Sequence, residues 1–414
     1  MLKRAFDILL LLAFANGVAA APRDTSTAIF DPQFKSLQVW DATDRLGQPI
    51  IKPNNGASAI RISFDELAED NRYLRYRLVH CDSDWRPSQI SELDYVNGFN
   101  LGEITDYALS EQTLTHYVHY NLYLPNDEIQ PLLSGNYLVE IFDEDDPDTV
   151  LLQARFMVDE GIAGLDMAVT SRTDYDYNNR HQQLSVSANL EGTRIDNPYN
   201  DLKLVIIQNG RVNDRRMLSH PLRMKSDIAV YEHQKELIFP AGNEYRRFDI
   251  ANVHYPGMGV NRFDYIDPYY NAMLNTDAPR VDERYQYDQD QAGRYFPAEL
   301  NSTEPDINAD YVMTFFTLQM PRLKEDVFID GDLVLRRRDS DARMVYDDTL
   351  GAYIKTLLLK QGMYNFQYVT SSGLNPIEGD RYETGNEYVC LLYYCPPGAR
   401  YERLVGSGVI HSGK

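Results

Sequence analysis

Short runs of alternating or β-branched residues recur along almost the whole chain, separated by turn formers and with hardly any helical period. That pattern leaves few folds open. The clearest run is Tyr73 to His80, where Tyr73, Arg75, Arg77 and Val79 face one way and Leu74, Tyr76, Leu78 and His80 the other, the period of a half-buried strand. It stops at Cys81-Asp-Ser-Asp-Trp85-Arg-Pro87, where turn formers and a proline pin one of the two tryptophans beside a strand end. Residues 37–40, 59–64, 116–124, 137–142 and 150–156 read as further strands, and only residues 65–70 hint at a helical turn. Strands so closely spaced predict a β-sandwich.

The pattern pauses near 158–164 and resumes with strands at 165–169, 184–190, 202–207, 236–239 and 245–250, Asn209-Gly210 serving as a turn pair. Residues 255–306 differ in kind: they are rich in tyrosine and turn formers, and are expected to be irregular, either a contact surface or a long crossover. Strands and turns alternate again from Ala309 to the end. With 414 residues, two or three domains are expected. The division is a leader at 1–20, a first sandwich at 24–159, a middle β domain at 160–306 carrying the loop 255–306, and a third sandwich at 307–414. The fold class is all-β, tandem β-sandwiches.

The formal charge of −22 argues against a phosphate-tracking nucleic-acid binder and against adsorption to anionic headgroups. Lys3 and Arg4, the apolar run 8–15 and Val18-Ala-Ala20 form an export leader, with cleavage expected after Ala20. The first cysteine is Cys81, too far along for a lipid anchor, and no other apolar run approaches the ~20 residues of a membrane-spanning helix. Cys390 and Cys395, on one strand, would lie about 16 Å apart, beyond the ~7 Å limit for a disulfide. Free, mostly buried thiols are expected.

No residue pattern carries chemistry. His116 and His119, three apart on a strand, point to opposite faces, cannot share a metal and read as surface residues. Asp143-Glu-Asp-Asp-Pro-Asp148 lacks the glycine and late glutamate of a calcium loop and reads as a solvated turn. Thr173 to Asn179 mixes acids, amides and tyrosines as saccharide sites do, yet reads as a loop; Trp40 and Trp85 sit where burial, rather than a sugar platform, is expected. Arg336-Arg-Arg338 is the one basic cluster, a solvated turn or a contact for an acidic partner. Nucleophile elbow, zinc-protease, phosphate-loop and dinucleotide motifs are lacking. No catalytic, cofactor-binding or metal-binding residue is assigned.

Several stretches in order resemble one family. Tyr76-x-Leu-Val-His-Cys-Asp-x-Asp-Trp-x-Pro-Ser88, Asp94-Tyr-Val-Asn-Gly-Phe99, Tyr117-Val-His-Tyr120, Pro125, Ser134-Gly-Asn-Tyr-Leu138, Gly362-Met-Tyr-Asn-Phe-Gln-Tyr368 and Glu378-Gly-Asp-Arg-Tyr-Glu-Thr-Gly-Asn-Glu-Tyr388 are similar to the plug proteins of the type IX secretion system of Bacteroidetes. The resemblance implies a periplasmic, non-enzymatic subunit on the inner side of the outer membrane. Its partner would be the outer-membrane translocon barrel, whose periplasmic mouth it closes when no cargo is loaded. It implies no cofactor, nucleic acid, small-molecule substrate or direct membrane insertion. Locally, Val327-Phe-Ile-Asp-Gly331 with the run 359–368 resembles immunoglobulin-like early-set sandwiches of glycogen-binding modules, so an exported carbohydrate-binding protein is the alternative.

Overall fold

The computed structural model describes residues 24–413 apart from 54, 55, 57 and 373–375; the leader expected at 1–20 lies outside the described residues. Almost all regular structure is strand, and the strands form paired sheets around three main cores. In the first unit one sheet runs in the order Ala28–Ile29, Asp146–Val158, Gly135–Asp143, Leu74–Cys81, Gly102–Glu103, with Ile50–Ile51 parallel to Asp146–Val158. The facing sheet is Phe34–Asp41, Ile60–Glu66, Val118–Leu124, Asp106–Leu109. The alternation in 73–80 is realised as expected. Leu74, Tyr76 and Leu78 enter the core with Phe64, Tyr120, Val139 and Phe156, while Arg75 and Arg77 on the other face reach Glu144 and Glu140. Asp65 and Glu66 extend a strand where a helical turn was expected, because both carboxylates are buried against partners, Asp65 against Lys360, His119 and Tyr311 and Glu66 against Arg72 and Tyr120.

The second unit pairs Gly164–Thr170, His181–Asn189, Ile228–Tyr231 and Arg223–Lys225 in one sheet, with Ile238–Pro240 also on His181–Asn189. Its other sheet is Arg216–Leu218, Leu202–Gln208, Glu387–Tyr394, Arg403–His411. The last two strands of the chain therefore return to the middle unit, Cys390 standing opposite Ile206, and a continuous third sandwich at 307–414 is not what forms. The reason lies in Glu387–Tyr394, buried along its whole length. Tyr388, Cys390, Leu392 and Tyr394 face one core, Val389, Leu391 and Tyr393 another, so the strand must be covered on both sides.

The third unit starts earlier than expected, at Arg246–Asp249, which pairs with Gly362–Thr370 beside Tyr295–Pro297 and Val327–Asp330. Its second sheet is Val260–Ile266, Tyr269–Leu274, Tyr311–Gln319, Ala352–Lys360, Val345–Asp347. Residues 255–306 are thus not irregular throughout. Val260–Ile266 and Tyr269–Leu274 form an antiparallel hairpin whose return strand runs parallel to Tyr311–Gln319, and the irregular part is confined mainly to a strap at 275–294.

Candidate docking surface

Three seams join the units, and each is built from residues the sequence made conspicuous. Between the first and second units the contact is apolar. Ile50, Cys81, Trp85, Leu138 and Met157 pack on Val205, Ile207, Val389, Leu391, Tyr393 and Leu404. Trp85 adopts a positive φ of 69° in the turn after its strand, which puts its ring, 2 % exposed, into this seam under the Arg155 guanidinium at 4.4 Å. Beside it, the His80 Nε2–H donates to Ser134 O (3.0 Å) and Nδ1 pairs with Ser88 Oγ (2.7 Å). Tyr137 and Tyr401 present ring edges to the imidazole, and burial pushes its pKa down to about 4. Gly135 stands at φ 137°, and a Cβ there would lie 2.6 Å from His80 Nε2, so the glycine of the Ser-Gly-Asn-Tyr motif is what lets the histidine in. Polar contacts close the rim: Tyr393 OH donates to Asn136 Oδ1 (2.6 Å), the Ser83 amide to Glu402 Oε2 (3.0 Å), and Lys203 pairs with Glu402.

Between the first and third units the seam is ionic and dry. Asp65 accepts from His119 Nδ1, Lys360 Nζ and Tyr311 OH, each at 2.6 Å. Lys360 also donates to Asp306 O (2.6 Å) and lies 4.2 Å over the Tyr117 ring. Burial raises the Asp65 pKa, but Lys360 and His119 outweigh it and hold the carboxyl below the usual carboxylate range. His119 is therefore a buried joint residue, not a surface one, because the third unit covers its strand; His116 does stay exposed and pairs with Glu69.

Arg336-Arg-Arg338, expected as a solvated turn, is a three-way tie. Positive φ at Leu335 and Arg336 fans the guanidiniums apart. Arg336 meets Asp332, Asn209 O and Ala292 O, Arg337 meets Asp24 and Asp339, and Arg338 meets Asp214, so the tripeptide fastens the third unit to both others. Arg211 and Asp330 (2.7 Å) strengthen the same seam.

A cleft of about 1460 Å³ opens where the strap 275–294 crosses the second unit, lined in part by Glu244, Asp290, Tyr285 and Glu387. Glu244 and Asp290 are two carboxyls brought side by side: burial raises Glu244 to about 7 and raises Asp290 as well. A paired acid in a cleft is what a hydrolase would present. Here Glu244 Oε1 accepts from Tyr285 OH (2.5 Å) and the Gly385 amide (3.2 Å), and Asp290 accepts the Ala292 and Tyr245 amides, so these bonds bind the strap to the body. Sequence reasoning passed over this pair because its members lie 46 positions apart on a loop and a strand end.

Other sequence candidates are not brought together. Asp143 to Asp148 forms a hairpin tip held by Arg72 and Arg75. Asp176 pairs with His181 and Asp174 with His233, leaving the Tyr175 and Tyr177 rings in solvent. Trp40 and Trp85 are both buried, and among the described residues Cys81, Cys390 and Cys395 form no disulfide.

What the body offers outward is an apolar edge of the first unit. The short helix Glu92–Tyr95 buries Tyr95, whose OH donates to Leu78 O (3.1 Å), and leaves Leu93 81 % exposed. Val96–Asn97 then pairs with Gln130–Pro131, and Asn100 caps Leu78 with its side chain. Those anchors hold Phe99, 89 % exposed, with Leu101 and Leu132 also exposed alongside. Next come Gly102–Glu103 and Asp106–Leu109, the outermost strands of the unit's two sheets, with Tyr107 and Leu109 exposed. Exposed aromatics held by a rigid base are typical of interaction sites.

Residues 34–160 match the first domain of type 9 secretion system plug proteins. A hypothetical protein from Parabacteroides merdae, whose crystal structure was determined at 2.30 Å resolution, is 38 % identical; the alignment covers 94 % of this chain and 100 % of that one, with a TM-score of 0.92. No curated protein matches. The all-β architecture, the matched first domain and the Val-His-Cys-Asp and Ser-Gly-Asn-Tyr motifs meeting at His80 and Gly135 agree, and the chain belongs to the type IX secretion system plug protein family.

Proposed function

We propose that this protein is a periplasmic plug that docks on the periplasmic mouth of the type IX outer-membrane translocon barrel and closes it while no cargo is loaded. The observation that carries this reading is the matched first domain locked into a single body by buried seams, with an apolar edge left outside. A wide water-filled barrel leaks solutes unless something stiff covers it, and covering needs no bond-making. By compact-chain scaling ~390 residues have a radius of gyration of about 21 Å. That is enough to span an opening tens of ångströms wide and to bury the ~1,600 Å² of an ordinary specific interface. Leu93, Phe99, Leu101 and Leu132 would fill pockets on the barrel rim, and the edge being small and partly polar, the plug could leave when cargo competes. Among the described residues no helix is long and apolar enough to cross a membrane.

Affinity capture from outer-membrane extracts with the tagged mature chain tests the reading. Recovery of a very large barrel protein is expected; repeated capture without one overturns it. A polysaccharide-binding role would instead retard the protein in gels cast with glycan.

A further inference from the structure

A second pocket, of about 410 Å³, lies where all three units meet, and its charge is opposite to that of the molecule around it. Arg155 enters from the first unit on Asp146–Val158, Arg215 from the second just after Leu202–Gln208, and Arg337 and Arg338 from the third. The last two are neutralised by Asp24, Asp339 and Asp214. The first two are not: among the described residues neither forms an ion pair. Arg155 spends only Nε, on Thr25 O (2.6 Å), and lays its guanidinium on Trp85. Arg215 reaches Asp84 O (3.0 Å) and Val212 O (3.2 Å), while its Nε is buried with no hydrogen-bond partner. Asp84, which also borders the pocket, turns its carboxylate to Arg86. Burial, then the neighbouring Arg215, press the Arg155 pKa down, and the more distant charge of Asp24 offsets this only in part.

We propose that this pocket is a binding site for an oxyanion group, a phosphate or a carboxylate, held between Arg155 and Arg215. Planar guanidiniums present paired N–H donors that match two oxygens of such a group. The cavity is larger than a free phosphate ion, so the group is either free phosphate or the carboxylate of a longer acidic ligand. Either way it would bridge the first and second units beside the third.

Isothermal titration of the mature chain separates the sources. One arm uses potassium phosphate, another the peptide N-acetyl-triglutamate amide, and potassium chloride at matched ionic strength is the blank. Saturable binding is expected in at least one of the first two arms, weakened about tenfold or more by Arg155→Met or Arg215→Met through the loss of charge-assisted bonds. Arg262→Met, which breaks a remote surface pair with Asp264, should bind as the wild type does. Should a pocket variant fail to fold, phosphorus-31 line broadening with the wild-type chain still decides between site and no site for phosphate, as does the calorimetry for the peptide. Heats indistinguishable from chloride in both arms, or unchanged affinity in both folded variants, overturn the proposal.

Discussion

Lys360→Met removes one charge from the driest point of the molecule while keeping the length of the side chain. Asp65 is fully buried and Lys360 is 1 % exposed, so neither charge is compensated by water. After the substitution Asp65 retains the His119 and Tyr311 donors but loses its counterion, and a stranded buried charge costs about 3–5 kcal/mol. Loss of the ammonium from the Tyr117 face adds about 1 kcal/mol. With a urea dependence of about 3 kcal/mol per molar, the unfolding midpoint falls by about 1.3–2 M. Both tryptophans belong to the first unit, so their fluorescence follows that unit while far-ultraviolet circular dichroism follows all three. The two probes should coincide in the wild type and separate in Lys360→Met, because the substitution cuts the joint between first and third units. Asp65→Asn combined with Lys360→Met should recover much of the loss, since no charge is then left unpaired. A single variant within about 0.5 kcal/mol of wild type, its probes still coincident, would refute the reasoning.

Three further outcomes are expected. The folded His80 ring resists protonation down to about pH 4, against an ordinary 6.5, so it contributes about 3 kcal/mol above pH 6.5 that is lost as pH falls from 6.5 through 4; His80→Gln should be less stable at pH 7 but show a flatter acid slope in urea titrations. Glu244, raised from 4.5 to about 7, favours the fold below pH 4.5, and that contribution is lost as pH rises from 4.5 through 7; Glu244→Gln keeps an acceptor for Tyr285, cannot ionise, and should decline less in melting temperature between pH 4.5 and 7 than the wild type does. Phe99→Asp with Leu93→Asp should leave stability within about 1 kcal/mol, both side chains being in solvent, yet abolish capture of the barrel; retained capture would move the docking face elsewhere.

The strands of the first unit were legible because half-buried strands alternate, and Leu74, Tyr76 and Leu78 announce a face. The third boundary was not. Glu387–Tyr394 is apolar on both sides, and periodicity cannot tell which of two distant sheets such a strand joins. Polar residues misled for a related reason. Asp65, His119 and Arg336 look like surface residues in a linear reading, and only the approach of another unit makes them interior. The exposed edge was half legible: the run Asp94 to Phe99 marked the family, but that Tyr95 points in and Phe99 out is decided by the Tyr95 bond to Leu78.

Many of the residues by which the chain resembles its family belong to joints rather than to the outer surface, and this bears on how the proposed plug would let go. Trp85, His80, Gly135 and Leu138 fix the first unit to the second, and His119 fixes it to the third. A cover that hinged open would have to part the apolar seam, or separate Asp65 from Lys360 and expose both to water through a half-open state in which each charge is desolvated but unpaired. Such a state costs several kcal/mol before any new contact forms. Undocking an intact body costs only the outer interface, whose ordering penalty is already small because the anchors Tyr95 and Asn100 hold the edge in shape. Rigid release is thus the cheaper path. Cross-linking the first unit to the second by a disulfide engineered across their apolar seam should leave the proposed plugging and unplugging unchanged, whereas a hinging plug would be trapped.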